Sequence, residues 1–312
     1  MFQTITGRHE LKRGNKHTPN HFQSRMKPFL FTVAIGVCLV TSSAQAQKST
    51  EKSATLPKSV SVAQGEVARW AGNCLRCSFE KRAWAAVNGT CYYPVDMEMK
   101  SGTYTISRRT TGSKLESAKL TVAEKVCMQE DIKNFPKKEY VTVSAENQAR
   151  AAKEAVVVNP IISYKADVRP AVFDLPVGKP ADPLPKGEGN FGACRTFDGQ
   201  PRDRHTGQDY PVTGGKPVLS VGNGRVMLAA NQFYSGNAVF IDHGNGLVTE
   251  YFHLKSYSVK PNQTVTKGQK IGTVGETGRV TGPHLHFGAR WHGACINPGY
   301  LFIDPSDMPE VK

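Results

Sequence analysis

The chain has 312 residues, 39% of them hydrophobic and 21% charged, and a formal net charge of +14. That length holds two domains of ordinary size, and the excess of strand formers, glycine and proline over long helical periodicity excludes a mainly helical fold. The basic surplus suits anionic surroundings such as cell-wall polymers or membrane surfaces. No basic block interleaved with aromatics appears, so nucleic acid is excluded as the partner.

In chain order, residues 1–46 read as a signal peptide. They carry six basic residues against Glu10 alone, and the chain beyond them keeps a net charge of +9. An apolar run from Pro28 to Val40 follows Arg25 and Lys27, and Ala44-Gln45-Ala46 supplies a small-residue cleavage site. The run is too short to span a bilayer, so no stable membrane span is expected after cleavage. Met26 is a possible true start. The reading is export, to the periplasm or to an extracellular, wall-associated location.

Residues 47–58 form a polar, flexible lead-in. Over 59–143, short alternating runs at Val60, Thr103, Lys119 and Tyr140, broken by turn residues, predict a small β-sandwich-like domain. Residues 144–188 begin with the one convincing helix, Ala145–Val156 behind Ser144 as N-cap, and continue as a proline-rich linker. A second β domain over 189–304 and a tail over 305–312 complete the chain.

Export places Cys74, Cys77, Cys91, Cys127, Cys194 and Cys295 in an oxidising compartment. The four in the first half allow three pairings, among which the sequence does not choose. Cys74-Leu75-Arg76-Cys77 lacks a second such pair or a nearby histidine, so a structural disulfide role is expected there rather than a redox or metal role. Cys194 and Cys295 are expected to pair with each other.

All six histidines of the exported chain lie after the linker: His205, His243, His253, His284, His286 and His292. Chemistry therefore belongs to the second domain. In Gly282-Pro-His-Leu-His-Phe-Gly288 a strand would project His284 and His286 to one face, about 7 Å apart, with Leu285 in the core. His205 and Asp209 stand four residues apart around Gly207. With one nitrogen from the His-x-His pair they would make a two-histidine, one-carboxylate set of the kind Zn²⁺ accepts while keeping a fourth position for water. Spacing alone does not choose between His284 and His286. His243 reads as structural and His292 as an exposed rim residue; Tyr251 and Tyr300 fit a groove or a core. Lys267 in a hairpin reminiscent of carrier domains reads as scaffold.

Four stretches carry more information together. Arg195–Asp209, Gly236–Gly246, Tyr251–Leu254 and Gly275–Phe287 stand in that order and resemble the lysostaphin/LytM-type zinc endopeptidases, which cut peptide bonds in peptidoglycan. The resemblance covers about Gly189 to Pro298. Residues 55–150 resemble, more loosely, the β-rich pro-region of some bacterial members. The resemblance implies an antiparallel sheet of the duplicated hybrid motif type. It also implies one Zn²⁺ held by His205, Asp209 and His286, with His284 and His253 as catalytic residues beside the open position. Peptidoglycan peptides would be the partner and a monomer is expected. Gln208 replaces the usual aliphatic residue, and Gly288 stands where an acid often follows. The other class implied is a catalytically silent scaffold of the same fold that activates another wall hydrolase; keeping all five residues favours the enzyme.

Overall fold

The computed structural model describes residues 58–165 and 189–312; the signal segment and nearly all of the proline-rich stretch lie outside the described residues. The first half contributes β1 (Ser59–Ala63), β2 (Val67–Ala71), β3 (Cys74–Phe79), β4 (Arg82–Ala85), β5 (Thr90–Pro94), β6 (Gly102–Thr110), β7 (Leu115–Ala123) and β8 (Gln129–Ile132). Five of these form a sheet in the order β1-β7-β6-β3-β4, and β2 and β5 form a separate antiparallel ribbon. The period-2 pattern is clearest on β7, where Ala118, Leu120 and Val122 are buried while Lys119 and Thr121 are exposed. Those inward residues meet Trp70, Trp84, Tyr93 and Ile106 in one core. The protein is mostly β, as the sequence predicts.

The alternating run at Tyr140–Val143 is not a strand. A 3-10 turn covers Lys138–Tyr140, and the carbonyls of Tyr140 and Val141 accept from the Arg202 guanidinium instead of from a neighbouring strand. Ser144 then caps α1 (Ala145–Ile162), its hydroxyl accepting the Asn147 N–H. The helix runs six residues beyond the predicted end and takes in Pro160. Its last turn packs Val158, Ile161 and Ile162 against Ala238, Phe240 and Val248, and that burial overrides the local helix-breaking signal. Among the described residues no helix is long and apolar enough to cross a membrane.

The second half holds β9 (Cys194–Phe197), β10 (Gln200–Pro201), β11 (Gly207–Tyr210), β12 (Pro217–Leu219), β13 (Gly224–Gln232), β14 (Gly236–Asp242), β15 (Leu247–Tyr257), β16 (Thr264–Val265), β17 (Lys270–Val274), β18 (Leu285–Trp291) and β19 (Ala294–Ile296). A nine-stranded antiparallel sheet has the path β11-β18-β15-β14-β13-β16, with β12 joined to β17, β17 to β15 and β19 to β18. One face of strands β11, β15 and β18, including Tyr210, Tyr251, Leu285 and Phe287, lies in the main core. Tyr251 is thus a core residue, its hydroxyl accepting the Val221 N–H.

Two features join the halves within the single unit Leu56–Lys312. Strand β8 pairs in parallel with β9. The chain end returns to the first half, where Val311 enters the core around Trp70 and Lys312 exchanges backbone hydrogen bonds with Ser59.

The cysteine pairing differs from expectation. The disulfides are Cys77–Cys91 and Cys127–Cys194, while Cys74 and Cys295 are buried free thiols. The β8–β9 pairing brings the Cα atoms of Cys127 and Cys194 to 5.6 Å, within bridging range. Cys295 instead sits on β19 with its thiol on the Thr206 carbonyl. Closing the 67-residue separation between Cys127 and Cys194 stabilises the fold by about 4 kcal/mol in the chain-entropy model. Non-reducing peptide mapping of the folded protein should recover Cys77–Cys91 and Cys127–Cys194 cross-links, with Cys74 and Cys295 alkylated only after denaturation; a Cys194–Cys295 peptide would contradict this pairing.

Candidate active site

Strand register assembles the site. β11 lies antiparallel to β18 with Asp209 opposite His286, and β18 lies against β15 with His286 opposite Phe252. Alternation sends Tyr251 and Phe287 into the core and leaves Asp209, His286 and Phe252 for the other face. The Phe252 ring stacks on the His286 imidazole at 5.0 Å between centroids and fixes its plane.

His253 reaches the same face through a bulge. Between the pairs Asn237↔Leu254 and Val239↔Tyr251, β15 has one residue more than β14. His253 there takes φ +62°, so Tyr251 and Leu254 both stay in the core while the histidine is re-aimed. Its Nδ1–H donates to the Thr277 carbonyl at 2.9 Å.

Three donor atoms converge: His205 Nε2, Asp209 Oδ1 and His286 Nδ1. The two nitrogens are 2.9 Å apart and each lies 3.2 Å from the carboxylate oxygen. Ligands at 2.0–2.1 Å from a tetrahedral Zn²⁺ would stand about 3.3 Å from one another, so the two 3.2 Å separations match such an ion and the 2.9 Å pair would open slightly to admit it. His205 Nδ1–H donates to the Asn190 carbonyl at 3.0 Å, which leaves its Nε2 lone pair for a cation. His284 donates Nδ1–H to the Gly282 carbonyl and points Nε2 toward Asp209 Oδ1 at 3.5 Å. His205, His253 and His284 are therefore all held by a backbone carbonyl at Nδ1.

The charges follow from burial and partners. Burial alone would raise the Asp209 carboxyl, but hydrogen bonding with His205, His284 and His286 holds it well below the usual carboxylate range. Burial pushes His286 down to about 4 and, with the charges of His286 and His284, keeps His253 well below its ordinary value. At His284 burial works the same way, but the hydrogen bond to Asp209 outweighs it and raises the imidazole.

Several supporting residues carry no signal of their own in the sequence. Asp209 Oδ2, the oxygen turned away from the histidines, accepts from Arg195 Nη2 at 2.8 Å and Asn190 Nδ2 at 3.1 Å. A buried carboxylate needs such donors, but one-dimensional spacing does not say which of 40 Lys and Arg residues provides them. At Gly288 the carboxylate of Glu250, opposite in register, lies 2.8 Å from where a Cβ would be. The acid missing at 288 is thus matched by one arriving from β15, and it pairs with Arg290 at 3.0 Å.

The remaining histidines stand apart. His243 is fully buried, bonded to the Asn223 carbonyl and the Thr249 hydroxyl, a structural role. His292 is not an exposed rim residue: it is 2% exposed and stacked on Trp84 at 4.2 Å, because the first half covers the β18–β19 turn. Lys267 lies in a turn, its N–H donating to Asn223.

Comparison with known proteins bears on the segment that carries these residues. Residues 203–298 match the model of Peptidase family M23. The chain carries an M23 peptidase domain. It is 46% identical over 93 residues to the peptidoglycan DD-endopeptidase ShyA of Vibrio cholerae, covering 30% of this chain and 22% of that protein. It is 45% identical over 107 residues to the DD-carboxypeptidase/endopeptidase Mpg of Neisseria meningitidis, covering 34% of this chain and 25% of the relative. The chain thus spans about a quarter or less of the length of these curated relatives. A solved M23 peptidase structure from Pseudomonas aeruginosa shares the fold, with a TM-score of 0.57 at 24% identity, covering 77% of this chain and 95% of that one.

Two outcomes test the M23 site and its surroundings. A Cβ on Gly207 would lie 2.5 Å from His286 Nε2 and 2.6 Å from the Phe287 carbonyl, so Gly207→Ala should lower stability by about 1–3 kcal/mol and reduce metal content, read by melting and elemental analysis. Burial lowers the pKa of His243 to about 4. The unfolded chain binds this proton first, so stability should fall as pH drops from about 6.5 toward 4, by roughly 3 kcal/mol from this group. In His243→Gln, urea melts across that window should show a shallower fall.

Proposed function

We propose that this chain is an exported, zinc-dependent endopeptidase that hydrolyses peptide bonds, in stems or cross-links, of bacterial peptidoglycan. The observation that carries the reading is the three-donor cluster of His205, Asp209 and His286, with two further imidazoles beside it: His253 lies 5.8 Å from His286 and 5.0 Å from His284 between ring centroids. The names of the relatives supply the substrate class, and the two disulfides accord with an oxidising compartment.

A bound Zn²⁺ would supply Lewis acidity at the scissile carbonyl and acidify water. The chain's own groups do the rest. His284, oriented by the Gly282 carbonyl, takes a proton at Nε2 from the attacking water. His253, oriented by Thr277, faces the site with Nε2, where it steadies the developing oxyanion or passes a proton to the leaving amine. Asp209 stays ionised and holds His205 and His286 in position. The scaffold alternative loses ground because no member of this set is replaced.

The test is release of amines from purified peptidoglycan together with metal analysis. The wild-type chain should hold one zinc and release amines, and EDTA should abolish release. His286→Ala should lose the metal; His284→Ala should keep it yet cleave about 10²–10⁴-fold more slowly. A His284→Ala protein cleaving near the wild-type rate would remove the base assignment, and zinc-free protein at full activity would remove the mechanism.

A further inference from the structure

The M23 match begins at residue 203, but the groups that hold Asp209 come from before it. Arg195 is the central one. Its Nη2 reaches Asp209 Oδ2 at 2.8 Å and its Nε reaches Glu130 at 2.5 Å. The three side chains are largely buried, with 9%, 17% and 23% exposure for Asp209, Arg195 and Glu130. Glu130 belongs to β8, outside the family segment, and the parallel register sets it opposite Arg195. Cys194, the residue before Arg195, is bonded to Cys127 just ahead of β8, which ties the two segments covalently.

We propose that Glu130 is a positioning residue for the metal ligand Asp209, acting through Arg195, and that the Cys127–Cys194 bond keeps it in reach. This rests on the metal-site reading above but not on the substrate. A guanidinium facing one carboxylate tends to grip both oxygens in a fork. Here Glu130 takes the Nε–H, which removes the side-on Nε/Nη2 fork, and Nη2 reaches Asp209 Oδ2 while Oδ1 remains turned to His205 and His286. Glu130 also balances the arginine's charge. Without it, an uncompensated cation would sit 2.8 Å from the carboxylate that must attract a divalent ion, and at low effective dielectric that competition is strong.

The experiment is a Co²⁺ titration of the metal-stripped chain, followed by visible absorption. The variants are Glu130→Gln, Arg195→Gln, both together, and Cys127→Ser with Cys194→Ser. Serines replace the thiols because an added thiol reductant would itself bind Co²⁺. Glu130→Gln, nearly isosteric and at a partly exposed position, should weaken Co²⁺ binding about tenfold and shift the spectrum of bound Co²⁺. Because Glu130 acts through Arg195, adding Glu130→Gln to Arg195→Gln should change affinity by less than about twofold. The disulfide variant should weaken binding in the same direction. A purely structural role would lower the melting temperature without a spectral shift and would persist in the Arg195→Gln background; either result overturns the proposal. So does a Glu130→Gln affinity within twofold of wild type. Failure of the wild-type chain to bind Co²⁺ would instead bring down the metal reading, and the proposal with it.

Discussion

The register between β11 and β18 is the constraint on which the rest depends. Asp209 and His286 are 77 residues apart in sequence and meet only because they are directly opposite in an antiparallel pair. A slip of one residue would turn His286 into the core and bring Leu285 or Phe287 onto the site face. Burial of Tyr210, Leu285 and Phe287 on the opposite face makes that slip costly. Placing a carboxylate on the edge strand β11 and an imidazole on β18 beside it, in a pinned register, therefore fixes their separation with little left to side-chain choice. His205 joins from the turn entering β11, its ring set by the Asn190 carbonyl.

The two histidines proposed as catalytic are positioned differently from the proposed ligands. His284 precedes β18, and its backbone pairs in an isolated bridge with Gly275. His253 occupies a bulge with a left-handed backbone, a conformation that costs free energy for a residue with a side chain. The 275–278 segment serves both: the Thr277 carbonyl holds His253 and the Thr277 hydroxyl donates to Leu254. Lys137 of the first half donates to the Glu276 and Gly278 carbonyls of the same segment. The first half thus contacts the site at two places, through Lys137 on the loop side and through Glu130, which bonds Arg195 of the second half, on the Asp209 side. Its role extends beyond carrying a second hydrophobic core.

Cysteine chemistry reinforces one of these contacts. The Cys127–Cys194 bond and the parallel β8–β9 pairing act on the same junction, and a single short parallel pair is otherwise weak by itself. The unpaired thiols are unlike it in environment. Cys295 lies fully buried, and burial pushes its pKa up to about 12, which leaves it an unreactive packing group.

The amino-acid sequence by itself determined the chemistry's inventory. Histidines confined to the second half, the His-x-His strand and the His205/Asp209 pair were legible because alternation along a strand and ligand spacing are local properties. The mostly β class was legible for the same reason. What only the tertiary structure decided were the long-range meetings: which histidine of the pair shares donor distances with His205 and Asp209, which cysteine Cys194 finds, and which arginine and glutamate steady the carboxylate. It also overruled local signals at Tyr140–Val143, at Pro160 and at His292, where contacts with distant segments outweighed propensity. The physical reason is the same throughout. Propensity and pattern act over a few residues, whereas register, burial and ion-pair partners are set by segments that are remote in the chain until the core closes.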